Sequence, residues 1–468
     1  MTLIKSISGI RGTIGGVAGN NLTPEDVVKF TAAFASWAIK KSRRNTIVIG
    51  RDARVSGAIV SSLVSATLQA SGIHVIDTGL STTPTVQLAV MHHRAGGGLI
   101  ITASHNPAQW NALKLLNEKG EFISESDGKA ILVLADSGKV SYADIKDLGS
   151  YSTDPSALDR HIALIKGLPL VNAGAVKRKK FKVVVDAVNS SGGIAVPRLL
   201  ESLGVSDIIK VNCEPSGKFA HNPEPLPENL TELSQQVKLN KAHLGIAVDP
   251  DVDRLALVCE DGSMFGEEYT LVAVADYVLQ QLPERNSSKK TATVSNLSST
   301  RALKDITEKA GGKYFSSAVG EVHVVARMKE VNAVIGGEGN GGIIFPELHY
   351  GRDALVGIAL FLSHLATSGK TCSVLRAQYP GYVISKNKIQ LTPEVNIDRI
   401  LQSVQKKYKK QPINTEDGLK IEFDGDWVHL RKSNTEPIIR IYSESRHETT
   451  SNLLAQKIIE DIKGLMKE

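Results

Sequence analysis

Cysteine is scarce in this chain, and what there is does not pair. Cys213, Cys259 and Cys372 are far apart, odd in number and outside any Cys-x-x-Cys spacing. That argues against a disulfide framework and a cysteine zinc site, and a reducing cytoplasm is the expected compartment. No run of about 18 apolar residues occurs, so no membrane span is expected. The opening Met1-Thr2-Leu3-Ile4-Lys5-Ser6 lacks the long apolar run of a signal peptide. Aromatics make up only 5%, so the core must rest on Val, Ile, Leu and Ala. A long basic block is missing too. The net charge is +6, yet the densest run is Lys177-Arg178-Lys179-Lys180, which reads as a solvated connection before an apolar strand. Without interleaved aromatics or a recognition helix, no nucleic acid is expected as a partner. A mild positive excess suits an enzyme for anionic small molecules.

What is present is ordinary for a globular protein: 42% hydrophobic and 22% charged residues over 468 positions. At roughly 100–150 residues per domain, that length suggests three or four domains. Forty glycines and seventeen prolines, spread along the chain, imply many tight loops between short elements.

The stretch that organises the rest is Ile101-Thr102-Ala103-Ser104-His105-Asn106-Pro107. A glycine-rich approach, Gly96-Gly97-Gly98-Leu99-Ile100, leads into a strand that should end near Thr102, with Pro107 stopping any continuation. Ser104 then stands at a strand-to-loop junction, expected to be exposed, fixed and free to carry a covalent group. Taken alone, such a stretch is an ordinary turn; its surroundings change that reading.

Before it, Ser8-Gly9-Ile10-Arg11-Gly12-Thr13 reads as a glycine-flanked loop, and Thr23-Pro24-Glu25-Asp26 as a helix start. Strand Ile47-Val48-Ile49 delivers Gly50-Arg51-Asp52-Ala53-Arg54-Val55-Ser56-Gly57 at its C-terminal end, and a helix follows. Strand-helix-strand alternation argues for a mainly parallel sheet, whose ligands bind beyond the carboxyl ends of the strands. The pattern restarts near 155 and again near 266. The second copy ends strand Leu244–Val248 in Asp249-Pro250-Asp251-Val252-Asp253-Arg254, and the third ends strand 333–336 in Gly337-Glu338-Gly339-Asn340-Gly341-Gly342. From about 376 the strands alternate as in an antiparallel sheet, and one leads into Arg431-Lys432-Ser433-Asn434-Thr435-Glu436-Pro437. The domains expected are therefore 1–155, 156–265, 266–375 and 376–468.

Each polar loop carries its own chemistry. Asp249, Asp251 and Asp253 at period two would point the same way if extended, offering three hard carboxylates to Mg²⁺. The glycine and distant Glu of a calcium loop are absent. Arg254 beside them suggests that an anion approaches. Arg431, Ser433, Asn434, Thr435 and Arg440 supply two guanidinium groups, two hydroxyls and an amide, a set suited to phosphate. Glu338 and Asn340 could meet sugar hydroxyls.

Together these loops resemble those of the α-D-phosphohexomutase superfamily. Thr102–Pro107 resembles its phosphoserine loop, Asp249–Arg254 its metal loop, Gly337–Gly342 its sugar-recognition loop and Arg431–Pro437 its phosphate-binding loop, in the family's order and one per domain. Two departures stand out. The family usually has Asn-Gly-x-Lys after the serine loop, where this chain has Asn111-Ala112-Leu113-Lys114; many bacterial members end the sugar loop in Ser-Gly-His, where this chain has Asn340-Gly341-Gly342. The resemblance implies an α/β fold: three related α/β domains with mainly parallel mixed sheets and a smaller C-terminal α+β domain, around a central cleft.

It also implies a chemistry. A phosphorylated Ser104 gives its phosphoryl group to a hexose 6-phosphate or 1-phosphate, and a hexose 1,6-bisphosphate-type intermediate or activator returns the other phosphate. One Mg²⁺ per active site is expected on Asp249, Asp251 and Asp253 with Ser104. Lys114 is expected in proton transfer if nearby cations lower its pKa, with His105 also catalytic. Arg11, Arg51 and Arg254 are expected to hold the serine loop and its phosphate. Glu338, Asn340, Arg254, Arg431, Ser433, Asn434, Thr435 and Arg440 are expected to bind substrate. The opening Ser8–Gly12 resembles that of phosphoglucosamine mutases, so glucosamine 6-phosphate to glucosamine 1-phosphate is the expected conversion, with mannose or glucose phosphates as the alternative. A small-molecule sugar phosphate is the expected partner, the enzyme a monomer or homodimer. The rivals are a phosphatase using the same groups and a sugar-phosphate binding protein without catalysis; a mere binder needs no combination of Ser104, Lys114 and three aspartates.

Overall fold

The computed structural model describes residues 2–6, 9–282, 291–390, 396–432 and 438–465. The chain divides into two compact units, one of Met1–Thr270 with Asn340–Leu375, the other of Leu271–Gly339 with Arg376–Glu468.

The first unit contains a seven-stranded mixed sheet built on alternating side chains. Strands Thr46–Arg51, His74–Leu80 and Gly97–Ile101 run parallel, while Trp110–Leu116 pairs antiparallel with Gly97–Ile101. Successive residues of a strand face opposite sides, and here both sides are apolar. Ile47, Ile49, Leu99, Ile101, Leu113 and Leu115 pack with Phe30, Phe34, Val64 and Ile131 in one core. Val48, Ile100 and Leu116 pack with Val86, Val90 and Ala157 in another. That is why the strands read as continuous hydrophobic runs and why helices cover both faces. The first helix, Pro24–Ser42, starts as expected: Thr23 accepts from the Asp26 N–H, and Asp26 accepts from the Thr23 N–H, a closed capping box.

Two expectations fail nearby. Ser8–Thr13 is not a loop throughout: Gly9–Thr13 is a strand, paired antiparallel with Trp110–Leu116, so Arg11 lies opposite Ala112. One partner, Ile4–Ser6, is local, but the strand that joins it to the rest of the sheet, Trp110–Leu116, lies far along the chain, beyond the reach of local pattern. The basic run is no free connection either. Lys177, Arg178 and Lys179 form the last turn of helix Ala173–Lys179, where cations suit the helix dipole, and Lys180 closes it in a left-handed cap.

The same unit holds a four-stranded sheet in which Lys182–Asp186, Asp207–Val211 and Leu244–Val248 are parallel and Leu255–Cys259 antiparallel. In the second unit, Ala292–Asn296, Lys313–Ser317 and Ile335–Glu338 are parallel. A five-stranded antiparallel sheet there, Val383–Gln390 through Ile438–Ser445, buries Leu419, Ile421, Val428, Leu430, Ile439 and Ile441 beneath helices Ile397–Lys407 and Glu448–Leu465. Three α/β layers and a smaller α+β layer, as expected, carry the polar loops. Among the described residues no helix is long and apolar enough to cross a membrane.

Candidate active site

Ser104 sits just past the end of strand Gly97–Ile101 with φ of 50°, a left-handed conformation that costs a non-glycine residue about 1–2 kcal/mol. Such strain persists only where the surroundings enforce it. Here the Ser104 N–H donates to Thr102 Oγ1 at 2.9 Å, and Thr102 Oγ1 donates to Asp52 Oδ2 at 2.6 Å. The Ser104 carbonyl accepts from Arg54 Nη2 at 2.5 Å. The hydroxyl is thereby aimed at the aspartate loop, where it donates to Asp249 Oδ2 at 2.7 Å.

This corrects the expectation of an exposed serine. Ser104 is 7% exposed, because the loop after strand Leu244–Val248 covers it. The aspartates do not converge by extended alternation either. Val252 has φ of 62° and its N–H donates to the Asp249 carbonyl, so a tight turn gathers the three carboxylates within 4.8 Å of one another.

The cluster is fully buried. The N–H groups of Asp253 and Arg254 both donate to Asp249 Oδ1 at 3.1 Å. Thr83, at the start of helix Thr83–His92, donates to Asp251 Oδ2 at 2.5 Å. Lys114 Nζ lies 2.7 Å from Asp251 Oδ2 and 3.5 Å from Asp253 Oδ2, and Arg352 Nη2 lies 2.7 Å from Asp253 Oδ2. Asp251 Oδ1 and Asp253 Oδ1 are buried without a hydrogen-bond partner. Burial, then the charges of Asp253 and Asp251, push the Asp249 carboxyl well above its ordinary range. Three hard carboxylate donors gathered in one buried turn, two of their oxygens without a hydrogen-bond partner, fit a divalent cation such as Mg²⁺.

Lys114 occupies strand Trp110–Leu116, opposite Ile100. Burial alone would lower its pKa, but Asp251 and Asp253 outweigh burial and raise it. The surroundings therefore do the reverse of the lowering expected from nearby cations. His105 Nδ1 lies 3.4 Å from Ser104 Oγ, and burial, then Arg254, pushes the imidazole pKa well below 6.5, so the ring is neutral at pH 7.

The arginines expected to hold the serine loop include Arg51, which donates to the Asp52 carbonyl, and Arg254, which meets Glu224 at 3.4 Å. Reading the sequence missed Arg54, which donates to the carbonyls of Ser104, Asn106, Pro107 and Trp110. It also missed Thr83 and Arg352, which brace the aspartates. The signal for Arg54 was present in Asp52-x-Arg54 at a strand end, on the side where ligands bind.

The second unit holds Glu338 and the strands that carry Arg431 and Arg440. Glu338 ends strand Ile335–Glu338, is 4% exposed, and its Oε1 accepts from Asn296 Nδ2 at 2.9 Å and the Gly320 N–H at 3.0 Å. Asn340 belongs to the first unit, where its Oδ1 accepts from the Gly342 N–H at 3.2 Å. Arg431 and Arg440 stand directly opposite each other on strands Trp427–Lys432 and Ile438–Ser445. Like charges so placed repel; Arg431 Nε lies 2.7 Å from Asp417 Oδ2. Ser433, Asn434 and Thr435 lie outside the described residues.

Comparison with known proteins adds an independent line. Profiles of phosphoglucomutase/phosphomannomutase alpha/beta/alpha domains I, II and III match residues 4–139, 159–262 and 266–382, and that of its C-terminal domain matches 391–461. A phosphoglucomutase/phosphomannomutase of Thermococcus kodakarensis is 36% identical over 93% of this chain and 94% of its own. A probable phosphoglucosamine mutase of Methanopyrus kandleri is 31% identical over 98% of each. A phosphoglucomutase/phosphomannomutase family protein of Burkholderia thailandensis, solved by crystallography, superposes with a TM-score of 0.85 at 25% identity, covering 99% of this chain and 98% of that one.

Proposed function

The chain belongs to the phosphoglucomutase/phosphomannomutase family of phosphohexomutases, and from that premise we propose that it moves phosphate between the 6- and 1-positions of a hexose through Ser104. The observation that carries the reading is the Ser104 hydroxyl, held in a left-handed turn 2.7 Å from a carboxylate of a buried three-aspartate cluster. A solvated turn has no reason to be so strained and so paired.

In this reading the backbone clamp on Ser104 presents a phosphoryl group carried on Oγ to the sugar hydroxyl. Asp249, Asp251 and Asp253 would hold Mg²⁺, which when bound supplies Lewis-acid stabilisation of charge on the transferring group. Lys114 lies against the aspartates as a buried cation, able to donate hydrogen bonds to phosphoryl oxygens or to take part in moving the hydroxyl proton. His105, neutral beside Ser104, can accept or donate one proton at a ring nitrogen. Arg11 and Arg254 bring further positive charge. Arg431 and Arg440, with Ser433, Asn434 and Thr435, would grip the phosphate that is not reacting, raising the effective concentration of the attacking hydroxyl. Glu338 and Asn340 would meet ring hydroxyls.

For the sugar we take glucosamine phosphate, on the opening Ser8–Gly12 and the relatives named phosphoglucosamine mutase at 31% identity over nearly the whole chain. A second reading, glucose and mannose phosphates, is favoured by the 36% identity to the Thermococcus phosphoglucomutase/phosphomannomutase. Side-by-side turnover of glucosamine, glucose and mannose phosphates decides between them: the preferred sugar gives the highest kcat/KM, and its product is an isomer. Release of free sugar instead would make the protein a phosphatase.

A further inference from the structure

Arg54 is among the most deeply buried charged side chains of the first unit, at 1% exposure, and every one of its donors is used by the protein. Nε donates to Asp52 Oδ2 at 3.0 Å. Nη1 donates to the carbonyls of Pro107 at 2.7 Å and Trp110 at 3.0 Å. Nη2 donates to the carbonyls of Ser104 at 2.5 Å and Asn106 at 2.6 Å. A guanidinium has five N–H bonds in a fixed planar fork, and five acceptors meet them. Nothing is left to bind a phosphate. The charge is spent on four backbone carbonyls of one loop, all within seven residues of one another.

The anchorage continues on both sides. Asp52 Oδ2 takes the Thr102 hydroxyl, and Thr102 takes the Ser104 N–H, so both backbone polar groups of Ser104 trace back to the Asp52–Arg54 pair. The Arg54 guanidinium lies 5.0 Å from the centre of the Phe219 ring, and Gly217 in that loop comes so close that a Cβ there would fall 1.9 Å from the Ala53 carbonyl oxygen. Ser190 Oγ accepts from the Ala53 N–H at 3.3 Å and donates to the Pro250 carbonyl at 2.8 Å, in the middle of the aspartate loop. One hydrogen-bonded chain thus joins the serine loop to the aspartates that face it.

We propose that Arg54 is a positioning residue for phosphoryl transfer: with Asp52 and Thr102 it locks Ser104 in its left-handed turn, in register with the aspartate loop, so that phosphate on Oγ reaches sugar and not water. The proposal rests on the phosphoserine reading above. Lysine at this position has three donors on a flexible stem and cannot hold four carbonyls and a carboxylate at once. Loss of the clamp should lower kcat and shorten the life of the phosphoserine, while sugar-phosphate KM, set by groups elsewhere, stays near the parent value.

The test uses the full-length protein with Mg²⁺, charged with glucose 1,6-bisphosphate. For the parent, Arg54→Lys and Arg54→Ala, one measures kcat and KM, and by intact mass the decay of phosphoserine without sugar. For Arg54→Lys the account expects kcat down about tenfold or more with KM changed less than about threefold, and faster phosphate loss. In Arg54→Ala, guanidinium at millimolar concentration should restore part of kcat, and methylammonium at equal ionic strength should not. Thr102→Val, which keeps shape and removes only the hydroxyl, should move kcat and phosphate loss the same way by less, and it serves if the arginine variants do not fold. Parental kcat in Arg54→Lys, or in Thr102→Val where that variant alone folds, or the same rescue by both cations, overturns the clamp. A parent that takes no phosphate and turns over no sugar overturns the phosphoserine reading beneath it.

Discussion

Arg54 and Arg431 are both arginines beside a loop expected to meet phosphate, and the protein treats them in opposite ways. Arg54 has a side chain 0% exposed and gives all five N–H groups to the chain itself. Arg431 is 22% exposed, faces Arg440 across the sheet, and among the described residues meets one carboxylate, that of Asp417. A cation whose donors are consumed internally acts on backbone geometry. A cation directly opposite another cation, on the reading proposed above, would serve to bind an anion that enters. The two predict different kinetic signatures, and that difference is what the following experiments sharpen.

The largest effect belongs to the group the Arg54 clamp serves. Ser104→Ala should lower mutase kcat by about a thousandfold or more, since a covalent relay without its nucleophile has no short substitute. Circular dichroism of the variant should match the parent. Next come the aspartates: Asp249→Ala, Asp251→Ala and Asp253→Ala should each reduce Mg²⁺-dependent kcat by about a hundredfold, about 2.7 kcal/mol of charge stabilisation, with sugar-phosphate binding little altered. Activity undiminished in EDTA would count against a catalytic cation.

Arg431→Ala should differ in kind from both. Losing a charge-assisted contact worth roughly 1.5–3 kcal/mol should weaken kcat/KM for glucosamine, glucose and mannose phosphates alike, by about ten- to two-hundredfold. Glu338→Gln keeps an acceptor for Asn296 and Gly320 and so spares the fold; it should reorder the three sugars. If Arg431→Ala reorders them and Glu338→Gln lowers all three equally, the two loops have been assigned the wrong way round.

The smallest effect concerns the scaffold behind the aspartates. Asp353 is fully buried; its Oδ1 accepts from the Leu355 N–H at 2.8 Å and its Oδ2 meets His161 at 2.8 Å. Burial is the strongest single influence and would raise its pKa, but His161 and His349, the latter 3.2 Å from Oδ2, together outweigh it and hold the carboxyl below its ordinary range. With the folded pKa depressed, the stabilisation is complete above the unfolded value near 4 and fades as pH falls through the lower folded value. Asp353→Asn, which can still cap helix Ala354–Ser368, should cost about 1–3 kcal/mol in urea unfolding at pH 7, shrinking below about pH 4. A cost independent of pH would mean that the carboxylate charge contributes nothing.

Much of this was legible in the sequence, for a physical reason. Strands with both faces buried read as apolar runs, and the loops at their carboxyl ends carry polar residues out of proportion to length. Ser104, Asp249, Glu338 and Arg431 all stand at such ends. What could not be read depends on distant partners. Gly9–Thr13 looks like a loop until Trp110–Leu116 pairs with it, and Lys114 gains its place from that same strand. Convergence of the aspartates needs the left-handed turn at Val252, which no alternation pattern foretells. The burial of Ser104 requires knowing that the aspartate loop lies over it. Arg54 looks like one more surface cation until four carbonyls of a loop some fifty residues away close on it.

The central claim is that Ser104 carries the phosphate that moves. Intact-mass measurement of the parent and Ser104→Ala, before and after exposure to glucose 1,6-bisphosphate, tests it most directly. The account predicts one added phosphoryl group on the parent, mapped by fragmentation to Ser104 and discharged by hexose 6-phosphate with appearance of bisphosphate, and none on the variant. Phosphate found elsewhere, or a Ser104→Ala protein that turns over at the parental rate, would contradict it.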